Sequence, residues 1–404
     1  MNILYLNTHD IGRFLQTYGY PVETPRLLEF SRDAMAFSQM YCASPTCSPS
    51  RGALLTGQYP HNNGLIGLSH RGFCINGSHH LASYLKGQGY ETVLSGVQHE
   101  VKLHEEKKLG YEKCLNPENY YRHDMPQSKL YTWQDELAAE NAIQYLKTRE
   151  KTEKPFFLAV GFGCTHREYP VVPDDYETDY VQVPKALPNV KEVRKDMAGM
   201  QIAVRTVDRL CGEILDALKE IGEYENTLIF FTTDHGLPFP MMKCNLYDDG
   251  MGVAFLLRYP GMKNRHTVSD ALLSQIDVFP TICDILQLPE PQWLQGISFL
   301  PVIEGEKEQV REEVIGEINY HVAYEPVRCV RTRRYKYICR WDNGYAFVPP
   351  THIDDSPSKE VFHENGYFEQ ELPKEELYDV CLDPQERKNL AEDAGAQEIK
   401  KEMQ

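Results

Sequence analysis

The feature that most restricts the fold of this sequence is a series of short, nearly uninterrupted apolar runs, separated by segments with helical spacing. The runs occupy positions 2–6, 91–94, 156–162, 227–233 and 253–258. Continuous apolar runs of this length are typical of strands that are buried on both faces of a parallel sheet. They predict an α/β fold with helices on both faces of a central sheet.

Two of the intervening helices have recognisable ends. Thr24 and Pro25 suit the N-cap and the first position of a helix that we expect to continue through Phe37. Between Asp196 and Ile221 apolar residues recur every three to four positions, with a glycine directly after as a C-cap. The second pattern predicts a long amphipathic helix that packs one face on the sheet.

The length of the chain and a change in its composition indicate two structural parts. At 404 residues it exceeds the size at which one hydrophobic core usually stops growing. After about residue 305 a charged stretch leads into basic, aromatic and polar segments. We therefore predict a large α/β domain over residues 1–305 and a smaller α+β subdomain over 306–404, with an antiparallel sheet and a terminal helix.

Charge and composition argue against several classes of partner. The formal net charge of −17 disfavours nucleic acid, because phosphate binding requires clustered Lys and Arg. No apolar run approaches the length of a membrane span, and the first residues show no signal-peptide pattern. The eleven cysteines have no repeated CxxC spacing, which suits a reducing compartment. We therefore expect a cytoplasmic protein without nucleic-acid or membrane partners, and its oligomeric state is left open.

Two acidic segments directly follow apolar runs. His9 and Asp10 come after the first run, and Asp234 and His235 come after the run at 227–233. Open α/β sheets place their sites beyond the carboxyl ends of the strands, so we expect these segments to converge. Two converging carboxylates favour a bound divalent cation, because without one they repel each other. Either pair alone is equally consistent with a loop aspartate that caps a helix.

The segment CSPSRGALLTG, at residues 47–57, concentrates chemistry-bearing residues. Ser48 suits an N-cap and Pro49 a first helical position, which places Cys47 just outside a helix N-terminus with Arg51 one turn along. In that position we expect the pKa of the Cys47 thiol to be lowered. The alternative for an isolated cysteine is a small buried hydrophobic side chain.

The motif Cys-x-Pro-Ser-Arg followed by Leu-Thr-Gly, within residues 47–57, resembles the signature of the type I sulfatases of the alkaline-phosphatase-like superfamily. The resemblance continues through Asp-His-Gly at 234–236 and is closest to the heparan N-sulfatase (N-sulfoglucosamine sulfohydrolase) branch. It implies an alkaline-phosphatase-like sandwich, with a large, mostly parallel central sheet and a smaller C-terminal subdomain. It also implies hydrolysis of a sulfate ester or sulfamate on a glycosaminoglycan-type mono- or oligosaccharide.

The resemblance further implies a modified nucleophile and a metal ion. The cysteine that matches Cys47 is converted in the family to formylglycine by a maturation enzyme, and the hydrate of that aldehyde attacks sulfur. Asp10, Asp234 and His235 match metal ligands, and the modified Cys47 completes their shell. His9 stands where the family usually has a second aspartate. The expected cofactor is one divalent cation. Ca²⁺ is the first choice, and Mg²⁺, Mn²⁺ and Zn²⁺ are alternatives because of His9.

Four further residues match catalytic positions of the family. Arg51 matches the arginine that holds the nucleophile, and Lys243 matches a sulfate-binding cation. His99 matches the histidine that helps to deprotonate the sulfated hydrate. His166 matches a histidine near the leaving group. The resemblance therefore predicts that these four side chains surround the modified cysteine.

Three more residues are candidate substrate contacts. Val97 stands where the family has a sulfate-binding lysine, and Arg13 is considered as its replacement. His61 and His70 lie in a segment that resembles a loop close to the pocket of the heparan N-sulfatases. The alternative for both histidines is an exposed position on a long loop.

Two other functions remain open from the sequence. A phosphonate monoester or phosphodiester hydrolase of the same superfamily has the same fold and nucleophile, and its substrates are also tetrahedral anions. A degenerate member that binds a sulfated sugar without turnover is the other alternative, since His9 and Val97 both depart from the family pattern.

Overall fold

The computed structural model describes residues 1–122, 124–150, 154–341 and 347–404. In these residues the chain forms an eight-stranded mixed sheet, a two-stranded sheet and a four-stranded antiparallel sheet. The strands are β1 (Asn2–Thr8), β2 (Met35–Phe37), β3 (Met40–Tyr41), β4 (Glu91–Gly96), β5 (Lys113–Cys114), β6 (Phe156–Phe162), β7 (Thr227–Thr233), β8 (Phe255–Arg258), β9 (Thr267–Ser269), β10 (Leu273–Ser274), β11 (Glu313–Tyr320), β12 (Tyr324–Thr332), β13 (Tyr335–Arg340) and β14 (Glu375–Asp379). The α-helices are α1 (Pro25–Ser31), α2 (Cys47–Thr56), α3 (Pro60–Asn63), α4 (Leu81–Gly87), α5 (Gln127–Thr148), α6 (Lys191–Glu220), α7 (Asp248–Met251), α8 (Val278–Leu286), α9 (Leu300–Ile303), α10 (Pro357–Glu364) and α11 (Gln397–Met403).

The eight-stranded sheet has the order β5-β4-β6-β1-β7-β8-β2-β9. Strands β5, β4, β6, β1 and β7 are parallel, whereas β8 is antiparallel to both β7 and β2. In the interior of the sheet, Leu6 of β1 is paired with Val160 of β6 and with Phe231 of β7. The carboxyl ends of β1, β6 and β7 therefore meet at one edge, where open α/β sheets build their sites.

Successive side chains of the central strands fill two separate cores. Ile3 and Tyr5 face a core that also contains α2, α4, α8 and the four-stranded sheet. Leu4 and Leu6 face the opposite core, which is closed by α1, α5 and α6. Residues of a strand alternate between its two faces, so a continuous apolar run is required when both faces are covered. The predicted sheet with helices on both faces is confirmed.

Two of the predicted elements differ from the structure. The helix expected from Thr24 through Phe37 ends at Ser31, and Met35–Phe37 forms β2. This strand pairs with β8 on one side and with β9 on the other. The hydrogen bonds of these two pairings stabilise a strand more than the local sequence pattern favours a helix. The run at 253–258 does contain β8, but β8 is antiparallel to its neighbours rather than parallel.

The two longest described helices, α5 and α6, both pack in the second core. Helix α6 covers the predicted amphipathic segment as far as Glu220, and its C-cap is Ile221 rather than the glycine that follows. Its residues Val207, Leu210 and Ile214 are buried. Among the described ranges, no helix combines the length and the apolar character that are needed to cross a membrane.

The four-stranded antiparallel sheet is joined through buried polar contacts to the loop after β3 and to α7. The N–H of Glu317, in β11, donates to the carbonyl of Ala43 at 2.9 Å. Lys336, in β13, is fully buried, and its Nζ lies 2.5 Å from an oxygen of Asp248 and 2.8 Å from one of Glu386. The antiparallel sheet predicted for the C-terminal part is thus present, while the boundary near residue 305 stays a prediction.

Truncation of a central core side chain tests this packing. Phe230 is fully buried and stacks on Tyr5 with ring centroids 4.6 Å apart. We expect Phe230→Ala to lower the free energy of unfolding by about 3–5 kcal/mol, because apolar burial is lost and a cavity remains. Urea unfolding followed by tryptophan fluorescence measures the change.

The control is Leu382→Ala, at a side chain that is 77% exposed. It is expected to change the free energy of unfolding by less than about 0.5 kcal/mol. Equal losses in the two variants would contradict the assignment of Phe230 to the core.

Candidate active site

The ends of β1 and β7 bring two aspartates together. The two strands are paired as far as Thr8 and Thr233, so Asp10 and Asp234 follow at the same edge. Asp234 Oδ1 accepts the backbone N–H groups of Asp10 and His235, each at 2.9 Å. Both aspartates are buried, at 0% and 3% exposure, so groups inside the protein must balance their charge.

Two buried cations provide that balance. Arg51, in α2, places Nε 3.2 Å from Asp234 Oδ2, and Lys243 Nζ donates to Asp10 Oδ2 at 2.8 Å. Burial alone would raise the pKa of both carboxyl groups. Lys243 is the main group that lowers the pKa of Asp10 below its ordinary value. His235 is the main group that holds the pKa of Asp234 well below its ordinary value. Both carboxyl groups are therefore ionised at neutral pH.

Cys47 lies inside this cluster as a free thiol. Its Sγ is 3.5 Å from His235 Nε2, and it takes part in no disulfide. Burial raises the pKa of the thiol, Lys243 opposes that shift, and Asp10 and Asp234 add to it. The expected lowering of this pKa is therefore wrong. Exclusion of water and two adjacent carboxylates outweigh the helix dipole and the nearby cations.

The helix that carries Cys47 also begins earlier than predicted. Helix α2 starts at Cys47 with Thr46 as the N-cap, rather than at Pro49 after Ser48. Ser48 lies in the first turn, and its Oγ accepts the N–H of Ser69 at 3.1 Å. Proline is tolerated throughout the first turn because N–H groups there have no partner within the helix. Its presence therefore does not define the first residue of the helix.

Three histidine rings line one side of the cluster. The ring centroid of His9 is 4.5 Å from that of His99 and 5.7 Å from that of His166. His166 Nε2 is 3.3 Å from Lys243 Nζ. Burial, helped by Arg51, lowers the pKa of His9 to about 4. Burial and the adjacent His9 lower the pKa of His99 well below its ordinary value. His9 and His99 are therefore neutral at pH 7.

The donor set of the cluster suits a divalent metal ion. One ligand atom from each of four residues lies within 4.8 Å of all the others, and these residues are His9, Asp10, Cys47 and Asp234. Asp10 Oδ1 and His9 Nε2 are buried without a hydrogen-bond partner, while His9 Nδ1 lies 3.0 Å from Asp234 Oδ2. Such orphaned atoms are costly, and a cation would satisfy them. His235 Nε2, 3.2 Å from Asp10 Oδ1, adjoins the set.

A cavity of about 260 Å³ opens beside His9, His99 and His166. Val97 contributes an apolar wall to this cavity. Tyr131 adds an aromatic wall, with its ring centroid 6.0 Å from that of His166. The histidines are therefore the part of the buried cluster that faces this cavity.

Of the three residues predicted as substrate contacts, two have other partners and the third is exposed. The guanidinium of Arg13 donates to the carbonyl of Met40 and lies 4.8 Å above the ring of Tyr41. His61 Nδ1 is 2.7 Å from Glu317 Oε2, in β11. His70 is exposed. In the contacts of the described residues, neither Arg13 nor His61 is paired with a member of the buried cluster.

Asp354 is a site residue that sequence reasoning missed. Its Oδ2 lies 3.6 Å from Lys243 Nζ, and its carboxylate also lies near His166 and Asp10. Burial opposes ionisation, but Lys243 lowers the pKa of Asp354 to about 2. In the sequence Asp354 is one of two adjacent aspartates in a polar segment, and nothing local distinguishes it.

Two family models match the chain. The model described as Sulfatase matches residues 1–288, well over half of the 404 residues. The chain belongs to the sulfatase family. A second model, described as N-sulphoglucosamine sulphohydrolase, C-terminal, matches residues 239–348. The resemblance noted from the sequence motif is therefore confirmed.

Individual sulfatases resemble this one over nearly its whole length. An ulvan-active sulfatase of Formosa agariphila is 26% identical over 100% of this chain and 74% of its own. The human N-sulphoglucosamine sulphohydrolase is 28% identical over 92% of this chain and 82% of its own. The solved structure of a 2-O GAG sulfatase superposes with a TM-score of 0.76 and 24% identity, covering 99% of this chain and 89% of that one. This sulfatase therefore has the alkaline-phosphatase-like fold that its sequence predicted.

Replacement of His9 by aspartate tests the metal preference of this sulfatase. Since His9 is neutral at pH 7, His9→Asp adds an anionic oxygen donor to the cluster. We expect the affinity for Ca²⁺ to rise by about tenfold or more, because Ca²⁺ prefers charged oxygen ligands. Isothermal titration calorimetry on metal-free protein measures the change.

The matched control is His70→Asp, which adds the same charge at an exposed position. It is expected to leave Ca²⁺ affinity unchanged. An unchanged affinity in His9→Asp would contradict the placement of His9 among the ligands.

Proposed function

We propose that this sulfatase hydrolyses a sulfate ester or sulfamate on a glycosaminoglycan-type mono- or oligosaccharide. The observation that carries the proposal is the position of Cys47, within one set of buried donors that also contains His9, Asp10 and Asp234. Arg51 and Lys243 pair with the two carboxylates. This arrangement combines a nucleophile position, a cation site and positive charge for an anionic substrate.

We propose that Cys47 acts as a precursor rather than as a thiolate. Its raised pKa and complete burial keep the thiol protonated, and a thiol is then a poor nucleophile. Converted to formylglycine by a maturation enzyme and hydrated by addition of one water molecule, the residue would supply two hydroxyl groups on one carbon, one to attack sulfur and one to expel sulfate later. The other residues of the cluster would then hold this diol and its substrate.

Arg51 and Lys243 are suited to orient charged oxygens. The guanidinium of Arg51 donates through Nη1 to Asn7 Oδ1 at 2.5 Å, so its direction is set before substrate binds. Lys243 is held between Asp10 and Asp354, and Asp10 raises its pKa well above the ordinary value. Fixed cations of this kind stabilise the charge that develops during group transfer.

His99 and His166 supply proton-transfer groups on the cavity side. His99 is neutral, which is the form that accepts a proton, and its ring adjoins Cys47. His166 Nδ1 lies 2.8 Å from the carbonyl of Arg167. If Nδ1 carries the proton, Nε2 is an acceptor that faces Lys243 Nζ, 3.3 Å away. We propose His99 as the base that deprotonates the sulfated hydrate and His166 as the group beside the leaving atom.

The donor set supports one divalent cation, which we propose to be Ca²⁺. Asp10, Asp234, His9 and His235 would hold it together with the modified Cys47. When bound, the cation would polarise the oxygen of the nucleophile and neutralise charge on the sulfate group. The imidazole of His9 also admits the softer ions Mn²⁺ and Zn²⁺.

The saccharide class is supported by the cavity and by the relatives. The wall formed by Tyr131 provides an aromatic face, and Gln127 and Gln134 provide amide groups beside it. These features suit a sugar ring with hydroxyl or amide substituents. The C-terminal model match and the human relative both concern sulphoglucosamine hydrolysis.

Sulfate release from a defined substrate panel tests the function. The protein is co-expressed with a formylglycine-generating enzyme, and conversion at Cys47 is measured by intact mass. The panel contains N-sulfated and O-sulfated glucosamine, sulfated unsaturated disaccharides, an aryl phosphonate and an aryl phosphodiester. We expect sulfate release from at least one sulfated sugar, and only from converted protein.

Three results would overturn the proposal. Faster turnover of the aryl phosphonate or phosphodiester would assign a phosphoryl-group hydrolase. Tight retention of a sulfated sugar without sulfate release would assign a binding protein. Full activity in protein with an unmodified Cys47 would exclude the formylglycine mechanism.

Removal of the Lys243 ammonium tests its role with substrate. We expect Lys243→Met to lower kcat/KM for a sulfated sugar by about 100- to 1,000-fold, because a preorganised cation is lost from the transferred group. Steady-state kinetics on fully converted protein measure the loss. Lys108→Met, at a side chain that is 65% exposed, serves as the control and is expected to keep wild-type kinetics. Equal kinetics in both variants would exclude Lys243 from sulfate binding.

A further inference from the structure

A second group of soft ligands lies outside the cluster that we assign to catalysis. Its members are Cys244, His321 and His352, which we call the second cluster. All three side chains are buried, with 5%, 6% and 5% exposure. One ligand atom from each lies within 4.8 Å of the other two. The second cluster therefore offers one sulfur and two imidazole groups to a single point.

The second cluster joins three segments that are distant in the chain. Cys244 lies between β7 and α7, His321 directly follows β11, and His352 ends a short turn at Pro350–His352. The N–H of Cys244 donates to the carbonyl of Pro45 at 2.9 Å, which fixes its backbone. Tertiary packing therefore creates the group, and no local spacing of the three residues indicates it.

The backbone at Cys244 is in an unfavourable conformation. Its φ is 61°, in the left-handed region that favours glycine. For a residue with a Cβ atom, this conformation costs about 1–2 kcal/mol. Strained backbone of this kind clusters at functional sites, where the side chain itself is required.

The imidazole groups of the second cluster lack partners. His321 Nδ1 and both ring nitrogens of His352 are buried without a hydrogen bond, although Glu325 Oε2 lies 3.1 Å from His352 Nε2. Each unsatisfied buried polar atom costs about 1–3 kcal/mol.

We propose that Cys244, His321 and His352 bind a Zn²⁺ ion that holds the C-terminal part of the chain against the catalytic cluster. One thiolate and two imidazoles are ligands that Zn²⁺ prefers, and water completes a tetrahedral shell. Bond lengths of about 2.0–2.3 Å place the ligand atoms of such a shell about 3.3–3.8 Å apart. Because the present atoms lie within 4.8 Å of one another, side-chain rotations that shorten these distances by up to about 1–1.5 Å form the site.

Zinc at this point positions Lys243. Cys244 is the next residue in the chain, and Asp354, two residues after His352, places Oδ2 3.6 Å from Lys243 Nζ. The ion therefore fixes the backbone on one side of the ammonium and the segment of its second carboxylate on the other. Binding converts the Cys244 thiol to a thiolate and releases one proton to solvent.

Cobalt substitution distinguishes this site from the catalytic cluster. Metal-free full-length Cys47→Ser protein, which has lost the other candidate thiolate, is titrated with Co²⁺. We expect one Co²⁺ per chain to be tetrahedral and to give an intense near-ultraviolet thiolate-to-metal band, whereas Co²⁺ bound at the catalytic cluster, which has no thiolate in this variant, gives no such band. Cys47→Ser/Cys244→Ser is expected to lose the band, whereas Cys47→Ser/Cys381→Ser, changed at an exposed cysteine, keeps it.

Histidine variants keep the test decisive if the Cys244 variant fails to fold. In the Cys47→Ser protein, His321→Gln and His352→Gln are each expected to weaken Zn²⁺ binding by about 10- to 100-fold in competition with a chromophoric chelator. His70→Gln is expected to leave it unchanged. Absence of the thiolate band in Cys47→Ser, or unchanged zinc affinity in both histidine variants, would overturn the proposal. None of these readouts uses sulfatase activity, so the result is independent of the proposed reaction.

Discussion

The central constraint on this protein is a balance of buried charge at the carboxyl edge of its main sheet. Asp10 and Asp234 leave neighbouring strands, and the cations Arg51 and Lys243 meet them from α2 and from the loop after β7. An uncompensated charge at this depth costs several kcal/mol. The sheet edge, α2 and the loop can therefore take only relative positions that keep all four groups in contact.

The same burial has opposite effects on the neighbouring titratable groups. The aspartates remain ionised because cations contact them, whereas Cys47 and His9 remain neutral because exclusion of water is the dominant influence on each. A protonated thiol between two carboxylates has little reactivity by itself. The surroundings of Cys47 therefore favour chemistry that begins with its modification and a bound cation over attack by a thiolate.

The C-terminal part of the chain completes the site from the other side. Its four-stranded sheet is joined to the main body by the Glu317 to Ala43 hydrogen bond and by the buried Lys336. Through this contact Asp354 reaches Lys243, and His321 and His352 approach Cys244. The buried ammonium of Lys243 is thus held by both parts of the protein.

The sequence by itself determined the fold class, the strands that carry the site and the chemistry-bearing residues. Continuous apolar runs mark β1, β6 and β7 because strands covered on both faces need them, and Asp10 and Asp234 follow two of these runs directly. Tertiary structure alone decided that Met35–Phe37 forms a strand, that β8 is antiparallel to its neighbours and that the pKa of Cys47 is raised. It also brought Asp354 to Lys243 and the three residues of the second cluster together. Each of these depends on partners far along the chain: strand pairing needs a neighbouring strand, and burial needs the elements that exclude water. The local spacing of residues along the sequence specifies neither the neighbouring strand nor the elements that exclude water.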